Sequence, residues 1–205
     1  MIGIIDIGLC NLRSISKAID ACGFDFQLIT SPDQFDLVTH CILPGVGSFK
    51  VGFERLVLSK LDIAISNFIA SKRPLLGVCL GMQLLADNGD EGGGSKGLGL
   101  IGGSVRRLEP GNKMRVPHVG WNSIEFQYRH PITEGLKQAR DFYFVHSFHI
   151  MGCKPESILG KTEYGTQFVS ATARSNVLGV QFHPEKSQAN GLKLLENFCL
   201  WDGRC

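Results

Sequence analysis

A cysteine framed by two glycines, Gly77-Val78-Cys79-Leu80-Gly81, lies directly after the apolar pair Leu75-Leu76 and directly before the helix-forming stretch Met82-Gln83-Leu84-Leu85-Ala86. The spacing predicts a strand, a sharp turn and a helix with a thiol at the apex, because the flanking glycines let strand and helix approach without colliding. A side chain at that apex also stands at a helix N-terminus, where free N–H groups and the helix dipole favour a thiolate over a thiol. An unframed cysteine packs as a small buried hydrophobe. The glycine frame makes Cys79 a candidate nucleophile.

A thiolate of this kind needs a base held by a third group. Val177-Leu178-Gly179-Val180-Gln181-Phe182-His183-Pro184-Glu185 offers one, with His183 ending an apolar run before a proline. Pro184 restricts His183 to extended geometry, and Glu185, two residues on, is placed to accept a hydrogen bond from the imidazole. The other five histidines read as ordinary surface residues. Acyl chemistry at Cys79 further requires an oxyanion hole. The Leu80 N–H follows the nucleophile, and Cys41-Ile42-Leu43-Pro44-Gly45-Val46-Gly47-Ser48-Phe49 is an apolar strand running into a loop with glycines on both sides of Val46. Such a peptide can turn its N–H or its C=O into a site, so the hole is expected to form on demand. An ordinary strand-ending turn is the alternative for Pro44-Gly45.

Apolar strand-like runs alternate with amphipathic segments: a strand over Met1 to Ile5, a helix from Asn11 to Cys22, strands over Phe26 to Ile29 and Val38 to Leu43, and helices over Ser48 to Leu56 and Leu61 to Ser71. This is the signature of an α/β fold with a mostly parallel central sheet flanked by helices, its sites at strand C-terminal ends. Gly92 to Gly103 reads as a flexible loop or strand turn, Val105 to Leu108, Ser123 to Phe126 and Phe142 to His146 as added antiparallel strands, and Trp201 to Cys205 as a loose tail. The 205 residues suffice for one substantial core, and a single domain over 1–205 is expected. A net charge of +2 with both signs intermixed leaves no basic stripe for nucleic acid, and the short apolar runs give no membrane span. Seven irregularly spaced cysteines argue against a disulfide framework and for a reducing, cytoplasmic setting. No spacing of Cys and His suits a metal, and the chemistry asks for no cofactor.

The segment Arg115-Val116-Pro117-His118-Val119-Gly120-Trp121-Asn122 is apolar and aromatic, with a proline and a glycine that are expected to fix it as a loop. Exposed Trp and Asn together mark the centre of an interface; the alternative is a Trp121 that fills the core.

LPGVGSF, GVCLGMQLL, RVPHVGWNSI, YFVHSFH and GVQFHPEKS, in that order, resemble the class I, triad-type glutamine amidotransferases of flavodoxin-like architecture. Among them the chain is most similar to the glutaminase subunits of imidazole glycerol phosphate synthases, and the likeness runs from Ile4 to Phe198. The resemblance implies a triad of Cys79, His183 and Glu185, an oxyanion hole from Val46 or Gly47 with Leu80, and glutamine held by Gln83, Glu91, Ser147 and Phe148. Phe148 stands where a tyrosine is commoner, and Ile7-Gly8-Leu9-Cys10-Asn11 departs from the usual Tyr-Gly-x-Gly-Asn. The implied reaction is hydrolysis of L-glutamine to glutamate and ammonia without metal or cofactor. The implied partner is a (β/α)8-barrel cyclase subunit in a heterodimer, met by Asn11, Pro117, His118, Gly120, Trp121, Asn122 and Lys186, with Ser187 nearby. Two other readings share the motifs: a glutaminase subunit supplying ammonia for amination or amidination of a sugar nucleotide in surface-polysaccharide synthesis, and a silent scaffold that binds the barrel.

Overall fold

Four consecutive buried residues, Ile2–Ile5, show none of the alternation of a half-exposed strand, and they form β1, covered on both faces. The computed structural model describes residues 1–111, 114–136 and 141–204. From β1 the chain passes through α1 (Leu12–Ala21), β2 (Phe26–Ile29), β3 (His40–Gly45), α2 (Phe49–Leu58), α3 (Leu61–Ala70), β4 (Leu75–Cys79) and α4 (Leu80–Leu84). The short strands β5 (Asn88–Gly89) and β6 (Ser95–Lys96) precede β7 (Ser104–Arg107), β8 (His118–Ser123), β9 (Glu125–Phe126) and β10 (Asp141–His146). β11 (Phe148–Met151), β12 (Ile158–Glu163), β13 (Gln167–Arg174), β14 (Val177–Val180) and α5 (Gln188–Leu200) follow.

Eight strands form one sheet in the order β2-β1-β3-β4-β14-β13-β12-β9. The first five are parallel, as the alternation predicts, and β13, β12 and β9 extend the sheet antiparallel; of the added antiparallel strands expected, only the end of Ser123 to Phe126, as β9, lies in this sheet, while β7 and β10 pair with β11 and β8 elsewhere. Successive residues of β1 feed opposite layers. Ile4 joins Ile15 and Ile19 of α1 and Leu194 and Phe198 of α5, whereas Ile5 joins Leu56 of α2 and Ile65 and Phe68 of α3. The order reverses between β1 and β3, so the loops that follow these strands meet at a switch point, where open α/β sheets place their sites.

Two expectations need correction. Residues from His118 onward are not a loop but the strand β8, paired antiparallel with β10 so that His118 faces His146 and Trp121 faces Tyr143. Its period-two pattern is disguised because the inward residues, His118 and Asn122, are polar, while the outward ones, Val119 and Trp121, are apolar. The start of the glycine-rich stretch is the strand turn offered as one of its two readings, since β6 pairs back antiparallel on β5. Trp201 is no loose tail: it is 4% exposed and packs edge-on against His130; Cys205 lies outside the described residues. The six described cysteines are all free thiols. Among the described residues no helix is long and apolar enough to cross a membrane.

Candidate active site

The turn at Cys79 is shaped by missing side chains. Cys79 ends β4 at φ 54°, ψ −109°, a left-handed conformation that costs a residue with a β-carbon on the order of 1–3 kcal/mol. A Cβ on Gly77 would lie 2.7 Å from the Gly81 carbonyl, and one on Gly81 would run into the Leu43 carbonyl oxygen of β3. On the other flank, a Cβ on Gly179 would press on Met82 Cγ at 2.6 Å and Thr172 Oγ1 at 2.7 Å. These three glycines allow β3, β14 and α4 to close around the turn. With α4 only five residues long, the expected dipole shrinks to the unpaired N–H groups of its first turn, Leu80 first among them.

Register brings two further strand ends to the same edge. Gly45 of β3 pairs with Cys79 itself, and Val180 of β14 with Val78. Val46-Gly47 and Gln181-Phe182-His183 therefore leave the sheet beside the thiol. His183 Nδ1 lies 2.8 Å from Glu185 Oε1, with both side chains less than a tenth exposed. Burial works against charge on the imidazole, but the Cys79 thiol and the Glu185 carboxylate acting on the ring outweigh it and push His183 up to about 10. His183 Nε2 is buried without a hydrogen bond. Cys79 Sγ lies 3.9 Å from the Val145 carbonyl oxygen and 3.8 Å from Gln181 Nε2.

A cavity of about 420 Å³ opens at the thiol, and Val46, Gly47, Leu80, Gln83, Glu91, Ser147 and Phe148 all line it, together with Pro117 and His146. Gln83 Nε2 donates to the Phe148 carbonyl at 2.9 Å and to Gln181 Oε1 at 3.1 Å. Both amide protons are thereby used, and what Gln83 offers a ligand is its carbonyl oxygen. Glu91 is no freely solvated acid: its Oε2 accepts the Phe49 N–H at the start of α2 at 2.7 Å. A larger groove, about 710 Å³, between β7, β11, β12 and β13 contains none of the residues singled out in the sequence.

The Val46 N–H does not face the cavity. It donates to the Leu9 carbonyl at 2.6 Å, tying together the two loops at the switch point. The Leu9 loop is itself pinned. Gly8 N–H donates to Asp6 Oδ1 at 2.7 Å, and Arg55 Nη1 donates to the Ile7 and Gly8 carbonyls at 2.9 and 2.8 Å. A second oxyanion donor from Val46 thus requires the Gly45–Val46 peptide to turn, and Gly47, at φ +108°, gives the loop a hinge that side-chain-bearing residues rarely supply.

On the expected partner face, Trp121 is 49% exposed and stacks edge-on with Tyr143, over whose ring Lys186 Nζ sits. Asn11 is exposed and caps α1, Pro117 is exposed at the cavity rim, and Gly120 and Asn122 are half-buried. His118 is corrected: at 2% exposure, stacked between Tyr164 and Phe144, it lies behind the face rather than on it. Ser187 is likewise buried, donating to the His183 carbonyl at 2.6 Å. Nor do the remaining histidines hold to the surface, since His130 and His146 are 2% and 5% exposed.

Sequence reasoning passed over Gln181, fully buried against the sulfur, and the Asp6–Arg55 pinning of the Leu9 loop. Gln181 had a signal: a polar side chain inside an apolar run, two residues before His183, shares its side of the strand. Arg55 had none, because its partners are backbone carbonyls.

The chain matches the family described as glutamine amidotransferase class-I over residues 3–201. It is 43% identical over 199 residues to imidazole glycerol phosphate synthase subunit HisH 2 of Methanococcus maripaludis, spanning 97% of this chain and 98% of that protein. It is 41% identical over 202 residues to imidazole glycerol phosphate synthase subunit HisH of Bacillus subtilis, with 97% and 95% covered. Among solved structures, PurLQS from Thermotoga maritima superposes with a TM-score of 0.75 at 17% identity, covering 97% of each chain. A crystal structure of a glutamine amidotransferase superposes at 0.74 and 17% identity, covering 98% of each; these two establish a shared fold. A family match over nearly the whole length, with relatives above 40% identity, means that the chain belongs to the class I glutamine amidotransferases.

Proposed function

We propose that this chain is the glutaminase subunit of an imidazole glycerol phosphate synthase, acting in histidine biosynthesis as one domain over 1–205. It hydrolyses L-glutamine and delivers the ammonia to a (β/α)8-barrel cyclase subunit. The observation that carries the reading is the meeting of Cys79 with the His183–Glu185 pair beside a cavity that also holds Gln83, Glu91, Leu80, Ser147 and Phe148. The chain's identity to HisH subunits supports the choice of acceptor pathway.

In this reading the ammonium of glutamine meets the Gln83 carbonyl oxygen and the Glu91 carboxylate, both acceptors, while the 147–148 backbone covers the substrate carboxylate. The Cys79 thiolate attacks the side-chain amide carbon, and the carbonyl π pair moves onto oxygen, where the Leu80 N–H and a turned Val46 N–H receive it. Collapse of this tetrahedral species breaks the C–N bond, His183 gives its proton to the nitrogen, and ammonia leaves. Water then attacks the thioester, His183 takes its proton, and glutamate and the thiolate are released. Glu185 holds the imidazole by Nδ1 and stabilises its charged form.

Free ammonia is protonated and lost in water, so the reaction serves synthesis only with an acceptor docked. We assign that docking to the face of Trp121, Gly120 and Asn122 with Lys186, Asn11 and Pro117 at its margin. The latched Val46 amide supports partner-controlled activity, since the resting loop withholds one of the two oxyanion donors. The irregular spacing of the seven cysteines supports a cytoplasmic protein.

The test is glutamate release by the purified chain, alone and with the cyclase subunit carrying its nucleotide, with Cys79→Ala as blank. A low basal rate raised strongly by the loaded cyclase is expected. Hydrolysis indifferent to that partner would reassign the ammonia to a different acceptor; no hydrolysis in either case would leave a scaffold.

A further inference from the structure

Behind the cavity runs a line of polar groups, of which His118, His146 and Gln181 have no part in these steps. His146 Nδ1 lies 2.9 Å from the Phe148 carbonyl oxygen, His118 Nδ1 lies 3.1 Å from His146 Nε2, and Asn122 Nδ2 lies 3.4 Å from His118 Nε2. From the other side the same Phe148 oxygen accepts Gln83 Nε2, which also donates to Gln181 Oε1. Gln181 Nε2 in turn donates to Cys79 Sγ. The line is continuous from β8 to the sulfur.

The placement of every proton follows from the terminus. A carbonyl oxygen only accepts, so His146 Nδ1 carries the hydrogen, and in a neutral ring Nε2 is then an acceptor. His118 Nδ1 must therefore donate to it, leaving His118 Nε2 to accept from the Asn122 amide. Burial holds His146 down to about 3 and His118 down to about 4, so both rings are neutral near pH 7. All donors from Asn122 to Phe148 point one way. Two imidazoles are a costly filling for a space between aromatic rings unless their nitrogens are used, because apolar side chains would fill it without a desolvation penalty. Here each ring nitrogen has a partner, and the His118 plane is set by stacking on Tyr164 at 3.9 Å and Phe144 at 4.9 Å between centroids.

We propose that His118, His146 and Gln181 are positioning residues for glutamine hydrolysis. The relay from Asn122 fixes the Phe148 carbonyl, and through Gln83 and Gln181 it fixes the Cys79 sulfur, so that the strand presenting Trp121 also sets the substrate pocket and the nucleophile. The inference rests on the glutaminase reading above and adds to it the residues that couple the partner face to the chemistry.

Three variants separate a relay from mere packing. His118→Phe keeps the stacked ring and removes both nitrogens, His118→Asn restores a donor at the Nδ1 position, and Gln181→Leu removes the donor to the sulfur. Steady-state kinetics with glutamine are measured in the complex. Alkylation of the Cys79 peptide by iodoacetamide is followed by mass spectrometry, and the thermal midpoint is recorded for each variant. His118→Phe should raise KM for glutamine about tenfold with little change in midpoint, the loss of one hydrogen bond at the relay. His118→Asn should recover most of that loss, and Gln181→Leu should slow alkylation about fivefold. Wild-type KM in His118→Phe overturns the proposal, since ring packing would then suffice, as does a His118→Asn variant as impaired as His118→Phe, which would mean that a donor at the Nδ1 position is not what the site needs. If the wild-type chain releases no glutamate, the glutaminase reading fails by itself. The relay is then judged on alkylation, which must slow in both His118→Phe and Gln181→Leu for it to stand.

Discussion

Replacing Arg55 by methionine should make the chain a faster glutaminase on its own. Arg55 Nη1 donates to the carbonyls of Ile7 and Gly8, the two residues immediately before Leu9, whose own carbonyl holds the Val46 N–H. Methionine keeps most of the aliphatic stem and removes the donors. Hydrogen bonds from a charged group contribute about 1.5–3 kcal/mol in sheltered surroundings. Arg55 is exposed, and competition from water reduces the pair to about 1 kcal/mol. That amount, taken from the pinned loop, changes the ratio of turned to latched Val46 peptide by about fivefold. On the mechanism proposed above only the turned state completes the oxyanion hole, so basal kcat should rise about fivefold at constant KM. On the same mechanism the loaded cyclase drives the peptide over by itself, so the rate with that partner should stay within about twofold. Glutamate release with and without the partner reads both numbers, and a thermal melt checks that the variant is folded. A basal rate that is unchanged or lower in a folded variant refutes the latch as a brake. A parallel rise with and without partner would place the effect elsewhere in the cycle.

Gly81→Ala should fail structurally: its methyl meets the Leu43 carbonyl, a core clash costing about 3 kcal/mol or more, seen as a large drop in thermal midpoint together with lost turnover. Cys79→Ala should abolish glutamate release while leaving complex formation and synthesis from added ammonia in place. Trp121→Ala should weaken the complex by about tenfold or more with the triad intact, read by titration calorimetry; if the two variants behave alike, chemistry and docking are not separate. Because the His183 pKa is raised in the folded state, its contribution to stability is complete below about pH 6.5 and disappears as pH climbs towards about 10. Glu185→Gln should therefore lower the unfolding midpoint most at pH 6, with the gap to wild type closing at high pH; a gap that widens with pH contradicts the sign.

The parallel half of the sheet and its helices were legible because both use apolar periodicity, and Phe26–Ile29 agrees residue for residue with the strand expected there. The elbow was legible because it depends on glycines. β8 was not, since its inward side chains are an imidazole and an amide while a Trp faces water, the reverse of the pattern by which strands are recognised. Trp201 was misplaced for a related reason: proximity to a terminus says nothing about burial. Its carbonyl bonds His40 Nε2 at 2.8 Å and its ring packs on His130, contacts separated in sequence by 161 and 71 residues. The state of the Val46 amide was beyond any sequence pattern, because a peptide between two glycines has two orientations and the choice is made by a carbonyl on another loop.

Gly77 and Gly81 leave the place of the sulfur to backbone surfaces, and Gly179 leaves it to the flanks of Met82 and Thr172. A location defined in this way is indifferent to almost every side chain in the molecule: strands can exchange Val for Ile, helices can turn over their outer faces, and the three vacancies still bring the same four segments together. This gives a physical reason why chains as divergent as 17% identity superpose with this one at TM-scores of 0.74 and 0.75. What a lineage must preserve to keep a nucleophile at this spot is chiefly the space that no atom occupies.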